Sequence, residues 1–521
     1  MIKNISLENK TYFVLIVILS ICSIIPIWIV EYFPSVNGPA FLNIVHMFKE
    51  INNTNYVYSD YFIRHAHYMP YLPMYGILYI LSFFFPLFIA NKILLSLMVL
   101  LFPIAVFYFV SHIDSKKIIF GFPSYLIIYN FGFMRGYYNF FIAIIFLIFF
   151  ITKWYEFEES LNLKKIIVLN LLLLCVFISH LIVTVFLLFI IFFMLLLEGK
   201  TFKYITTHFI KIGLPVFISM VYFICFTSTY SIWNEDRIVI EDWWFKTENI
   251  YLRFLWPYSH FGKIIAAIPF LVILFALIKS KGDFSIQYIK KKKISIANSA
   301  ENRNILLFLV ITFLYYLFPW KFMGWHKADA HLIIFMFVFF LACPRAFKYK
   351  NSRISFVLLN FVLSLLFFYH VGSQVVVLDK EIQSEFLAGM QYMDKISKIL
   401  PISADGNPYN EVNPYAHLYD YYTLYNGNVT GKSLAAYNTI SPVWYKDYKE
   451  FPNFHRLPTF NSNDLNKENL KIIKGSYNYV LIWGNNPDVL NSFRNKEFIS
   501  VFEKQRLHIF EPAFALKPDK E

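Results

Sequence analysis

The sequence predicts a polytopic α-helical membrane protein with an extramembrane α/β domain at its C-terminal end, on three observations. Its apolar residues come in runs of about 15–20 instead of alternating with polar ones, the pattern of helices that cross a bilayer. The chain is 58% hydrophobic with a mean hydropathy of +0.51, too apolar for a soluble protein. Its net charge of +13 is unevenly spread: residues 371–521 hold 16 Lys/Arg against 17 Asp/Glu, so the whole excess lies before residue 371. A basic excess confined to the apolar part is a topology signal, which points to membrane lipid as a partner and to no nucleic acid.

The chain accordingly divides into a membrane domain, 1–370, and an extracytoplasmic α/β domain, 371–521. Twelve apolar segments fall near 11–30, 72–90, 92–110, 118–131, 137–152, 165–179, 180–197, 209–228, 261–279, 304–319, 330–343 and 353–370. No small-x-small cleavage site follows the first, so it stays as a span and is not a removable signal. The second is edged by Pro70, Pro73 and Pro86. Treating it as a re-entrant or interfacial segment leaves about eleven spans and makes the charge bias consistent throughout. Lys3, Lys10, Lys116, Lys117, Lys164, Lys165 and the run Lys290 to Lys293 then share one side, which the positive-inside rule makes cytoplasmic. The N-terminus is inside on this reading and the C-terminal domain outside. Nine of the ten tryptophans fall at or beyond the outer boundary, where amphipathic rings are favoured. Cys22, Cys175, Cys225 and Cys343 sit within apolar segments and show no metal-ligand spacing. In the C-terminal domain, Phe386, Leu387, Met390 and Met393 give 371–400 a helical spacing, while Tyr477–Trp483, Phe498–Val501 and Leu507–Phe510 read as strands.

The polar residues sort to the outer side. The first outer loop, 31–91, opens with Glu31, a carboxylate at the point where a span leaves the bilayer and costly there against lipid. It reads as a general base, as a ligand for a cation that orients a phosphate, or as a solvated helix-end acid. His46 and Asp60 lie in the same loop, where Phe41, Leu42, Val45 and Phe48 share one face of a surface-lying helix and Asn43, His46 and Lys49 the other. Arg135 sits between Gly132 and Gly136, where its guanidinium either grips a phosphate bidentately or snorkels to headgroups. His180 interrupts an apolar run at an outer junction, as a working ring or as a buried neutral one. His326 and Asp329, three apart, share a face if helical, with His331 opening the next span. In the fourth outer loop Asp242, Trp243 and Trp244 set a carboxylate beside flat rings, which suits a sugar face as well as an aromatic belt.

In its organisation over residues 1–370, and in EYFPSVNGPAFLNIVHMF, FGFMRGYYNFF, ISHL and YNYVLIWG, the chain resembles bacterial members of the GT-C superfamily. These are integral-membrane glycosyltransferases that take a sugar from a polyprenyl-phosphate carrier. The resemblance implies transfer on the extracytoplasmic face of a bacterial plasma (inner) membrane, with Glu31 as the catalytic residue. Read that way, Glu31 deprotonates a hydroxyl of a glycan, lipid or protein acceptor and the anomeric carbon inverts. Arg135, His180 and His326 then hold the donor phosphate, and His46, Asp60, Asp242, Trp243 and Trp244 meet the acceptor or sugar. No residue is assigned to a metal; a divalent cation, Mg or Mn, stays open as a cofactor, and Tyr32 stands where the family often has a second acid. One rival, an O-antigen-type polymerase or ligase, is disfavoured by outer loops poor in arginine. The other, a non-catalytic glycan-binding or transport protein, is disfavoured because the polar residues gather at one face and not at mid-bilayer.

Overall fold

A computed structural model of the protein describes residues 7–65, 70–157, 161–197, 201–228, 240–254, 259–280, 300–319, 321–322, 325–326, 329–345, 347, 349–405, 412–436, 441–447, 451, 465–495 and 497–513. Among these, five helical stretches are long and apolar enough to cross a membrane: Lys10–Trp28, Leu87–Ile113, Tyr138–Phe157, His260–Leu277 and Lys350–Tyr392. A sixth candidate is the pair Phe202–Leu214 and Val216–Phe223, bent by 62°. Leu72–Leu81, Leu181–Leu196, Arg303–Leu317 and Ala330–Ala342 are apolar but shorter. At 1.5 Å per residue a 13-residue helix such as Ala330–Ala342 is only about 20 Å long.

Two segments and one lysine differ from their sequence reading. The run 72–90 is not one element: the helix Leu72–Leu81 ends, Phe83, Phe84 and Phe85 are left exposed, and Pro86 precedes the helix Leu87–Ile113. Proline's fixed φ and missing N–H suit it to a helix start, which gives the last residues of the run to the following span. The run 118–131 is not an α-helical span. Residues Ser115–Leu126 form a 3-10 helix capped by Asp114, whose carboxylate accepts the Lys116 N–H at 2.9 Å. Pro123 lies within it and donates nothing, and a Cβ on Gly121 would lie 2.2 Å from the Phe107 ring, so close packing sets its path. Lys117, expected in a solvated cytoplasmic loop, is fully buried and donates to the Ala342 carbonyl at 3.1 Å.

The chain forms two compact units. The first comprises Met1–Ile29, Pro70–Met74 and Lys92–Gln374, and holds most of the apolar helices. Its core is aromatic: Phe102, Phe109, Tyr125, Tyr129, Tyr138 and Trp154 are fully buried. The tyrosine tips find backbone partners: the Tyr129 hydroxyl donates to the Ser23 carbonyl at 2.6 Å and the Tyr125 hydroxyl to the Ile16 carbonyl at 3.0 Å.

The second unit comprises Val30–Met69, Tyr75–Asn91 and Val375–Glu521, so the first loop and the C-terminal part share one core. The strands of the protein are β1 (Phe62–Arg64), β2 (Lys321–Phe322), β3 (Trp325–His326), β4 (Ile399–Ser403), β5 (Val443–Tyr445), β6 (Tyr479–Trp483), β7 (Phe498–Lys504) and β8 (Leu507–Pro512). In the second unit β4, β6, β8 and β7 form a sheet in that order, with β4 parallel to β6 and the other pairs antiparallel. β1 pairs antiparallel with β5, Ile63 opposite Trp444. The helix Gly38–Glu50 does not keep Asn43 on a solvated face. Asn43 is fully buried and its amide donates to Asp420 Oδ1 at 2.6 Å. The helical reading of 371–400 holds only to Glu381; a π-helical turn, Ile382–Phe386, and a 3-10 helix, Leu387–Tyr392, follow before β4.

Candidate functional site

Glu31 lies three residues beyond the helix Leu7–Trp28 and is exposed. Its backbone is fixed. The N–H groups of Glu31 and Tyr32 donate to Asp379 Oδ2 and Oδ1 at 3.0 and 2.8 Å, and the Gln383 amide donates to the same carboxylate at 2.9 Å. Asp379 is buried, so this charge-assisted clamp works in a poorly solvated place where such bonds are strong. Beside Glu31 the hydroxyls of Tyr32 and Tyr425 lie 2.7 Å apart. Burial pushes both phenols above their usual range, and the charge of Glu31 acts in the same direction on each. The result is a solvent-facing carboxylate whose own N–H and that of its neighbour are both held by Asp379.

The first unit holds a second cluster, built on two helix starts and a turn. Asn130 caps the four-residue helix Phe131–Met134, and Gly136, with φ of 82°, reverses the chain into the helix Tyr138–Phe157. Arg135 in this turn donates through Nε to the Tyr137 hydroxyl at 2.8 Å and lies 5.7 Å over the Phe131 ring. His180 ends the helix Leu163–Ser179 and is 3% exposed. Its ring centroid is 5.1 Å from that of His331 and 4.9 Å from that of Tyr71. His331 stacks on Tyr137 at 5.2 Å and meets Phe140 edge-on at 4.4 Å. Thus Arg135, Tyr137, His331 and His180 form a continuous chain of contacts.

Asp329 does not share a helical face with His326. The helix begins at Ala330, and Asp329 instead faces Lys246, with Nζ to Oδ2 at 3.9 Å and both side chains fully buried. Lys246 also donates to the carbonyls of Tyr315, at 2.9 Å, and Phe318. His326 belongs to β3, paired with Lys321 of β2, and its side chain lies outside the described residues.

The remaining expected residues have mostly structural surroundings. The Asp242 carboxylate accepts the Phe245 N–H at 2.9 Å, an N-cap for the helix Trp243–Phe254. Trp243 and Trp244 are exposed, and Trp243 lies 5.5 Å from Tyr316. His46 packs between Tyr56 and Tyr58, at 5.3 and 5.8 Å, with its Nε2 buried and lacking a hydrogen-bond partner. Asp60 is exposed in the short helix Tyr58–Tyr61. Of the fourth-loop tryptophans, Trp233 and Trp256 lie outside the described residues, as does His67.

Sequence reasoning missed Asp379, Lys246 and the approach of His331 to His180, 151 residues away. Lys246 directly follows three aromatic residues, Trp243, Trp244 and Phe245, the one local sign of its burial. Among the described residues no three of His, Cys, Asp and Glu gather closely enough to hold a metal ion. No protein-family model matches the chain, and no curated protein matches it.

Proposed function

We propose that the protein is a GT-C-like glycosyltransferase that moves a sugar from a polyprenyl-phosphate carrier to an acceptor hydroxyl on the outer face of a bacterial plasma membrane. The observation that carries this reading is Glu31: an exposed carboxylate at a span end, with its backbone pinned by Asp379. A base needs this combination of access and fixed position. In the proposed reaction the acceptor O–H gives its proton to Glu31 as its oxygen bonds to the anomeric carbon. The bond from that carbon to the phosphate oxygen breaks, the lipid phosphate leaves with the electron pair, and the configuration inverts.

Arg135 is assigned to the developing phosphate charge, with His180 and His326 as further donors; guanidinium is suited to a planar pair of phosphate oxygens. The acceptor is a glycan, lipid or protein. The proposal includes about eleven crossings, with the 3-10 segment Ser115–Leu126 and the short helices Leu181–Leu196, Arg303–Leu317 and Ala330–Ala342 counted among them, Leu72–Leu81 left out as an interfacial segment, and the N-terminus cytoplasmic.

The test is transfer from a radiolabelled polyprenyl-phosphate monosaccharide by the purified protein and by Glu31→Gln. Loss of a general base costs on the order of 10²–10⁴ in rate. We expect that loss with an unchanged melting curve; transfer at near wild-type rate by the variant removes Glu31 from the role. Lipids co-purifying with the protein, identified by mass spectrometry, test the donor class separately, and a diphosphate-linked oligosaccharide there would point to the polymerase instead.

A further inference from the structure

The second unit contains a pocket that none of the residues assigned above lines. It opens at the carboxyl ends of the two parallel strands β4 and β6, the place where ligands enter open α/β sheets. Its volume is about 110 Å³, several times the ~10–15 Å³ that one water requires on the same measure, so it takes a ring-sized group. Phe386, Tyr415, Tyr419 and Trp483 form the apolar floor and are buried. Ser403, Asp405, Asn413 and Lys432 are partly exposed along its lining.

These polar groups are held in place. The chain leaves β6 through Gly484, whose φ of 122° and lack of a side chain let the Asn485 N–H reach Asp405 Oδ1 at 2.8 Å. A Cβ at Gly484 would lie 2.5 Å from Asp405 Cγ. Arg506 covers the Trp483 ring at 4.9 Å and the Tyr415 ring at 5.4 Å. Its guanidinium is balanced by two acids, Glu381 and Asp405, each 3.5 Å away. The Tyr419 hydroxyl donates to the Lys432 carbonyl at 2.8 Å.

The chemistry of the lining selects a ligand class. The aromatic floor makes the base of the pocket apolar, and the polar groups supply acceptors (Asp405), donors (Lys432) and groups that do both (Ser403, Asn413). Since the Arg506 charge is already met by two carboxylates, a phosphate gains little here, whereas a neutral polyhydroxylated ring finds partners for both its C–H face and its hydroxyls. Burial lowers the Lys432 amine to about 8, so at neutral pH it remains an N–H donor. We infer that this pocket binds one neutral pyranose unit of a glycan, with Asp405, Asn413 and Lys432 reading its hydroxyls.

The experiment is saturation-transfer difference NMR on the full chain in detergent, with the methyl glycosides of glucose, galactose and N-acetylglucosamine as probes and inorganic phosphate as competitor. No donor lipid is present, so the outcome is independent of the transfer chemistry proposed above. We expect at least one glycoside to give a saturable signal that phosphate does not displace. Asp405→Asn and Lys432→Met should each weaken it at least tenfold, with thermal melting recorded for both. Asn413→Ala, at a partly exposed loop position, is a third variant that tests the pocket if either of those fails to fold. Absence of a saturable signal with all three glycosides, displacement by phosphate, or folded variants that bind like wild type overturns the assignment.

Discussion

At the level of single residues, the position of Glu31 depends on Asp379, a group with no sequence motif of its own. Removing its carboxylate leaves two backbone N–H groups without their acceptors, and each such loss costs about 1–3 kcal/mol. Asp379→Ala should therefore lower the melting temperature by several degrees, and Asp379→Asn, which keeps one acceptor oxygen, by less; equal melting of both variants and wild type would show that the clamp is unimportant. His46 gives a pH signature. Burial, reinforced by Lys49 and opposed by Glu50, takes its imidazole from 6.5 down to about 4. The unfolded chain binds a proton near 6.5 that the folded chain refuses until about 4, so stability is full above the first value and falls as pH drops towards the second. The loss is about 3 kcal/mol at 1.36 kcal/mol per unit, and His46→Phe should flatten that part of a plot of melting temperature against pH. Glu31, Arg135 and His180 stand out in sequence because a polar residue in apolar surroundings needs a reason. Asp379 and Asp420 do not, because their partners lie 347 and 377 residues away.

At the level of elements, the legible parts are those with one dominant period. The helices Leu7–Trp28, Tyr138–Phe157 and His260–Ser280 lie close to where the apolar runs place them, and β6, β7 and β8 carry the apolar character expected of strands. The 3-10 segment Ser115–Leu126 was not legible, since its apolar content matches a span while Pro123 and the crowding at Gly121 decide its geometry. Strand β4 was hidden for a related reason: it contains Pro401, which sits opposite Leu481 and is tolerated because β4 is at the sheet edge. The turn that ends β6 gives a prediction of its own. Gly484→Ala must place a Cβ against Asp405 in a conformation that side chains rarely adopt, at a cost of about 1–3 kcal/mol. Thermal melting should fall accordingly, and an unchanged melting curve would mean that the turn relaxes freely.

For the whole molecule, the charge distribution makes orientation testable. In a background without native cysteines, Lys292→Cys should resist a membrane-impermeant maleimide on intact cells and Glu497→Cys should react; the opposite pattern would invert the proposed topology. The change from apolar, basic sequence to charge-balanced sequence near residue 371 is legible from composition. That residues 30–69 and 75–91 join the C-terminal unit was not, because nothing local in the first loop reports the pairing of β1 with β5. This pairing has a consequence for biosynthesis. Glu31 leaves the ribosome 348 residues before Asp379, and at ~5–20 residues per second it waits roughly 20–70 s for its acceptor. During that interval the first loop has emerged while half of its core is still unmade, which makes it the stretch where a nascent-chain chaperone or a surveillance protease would act first.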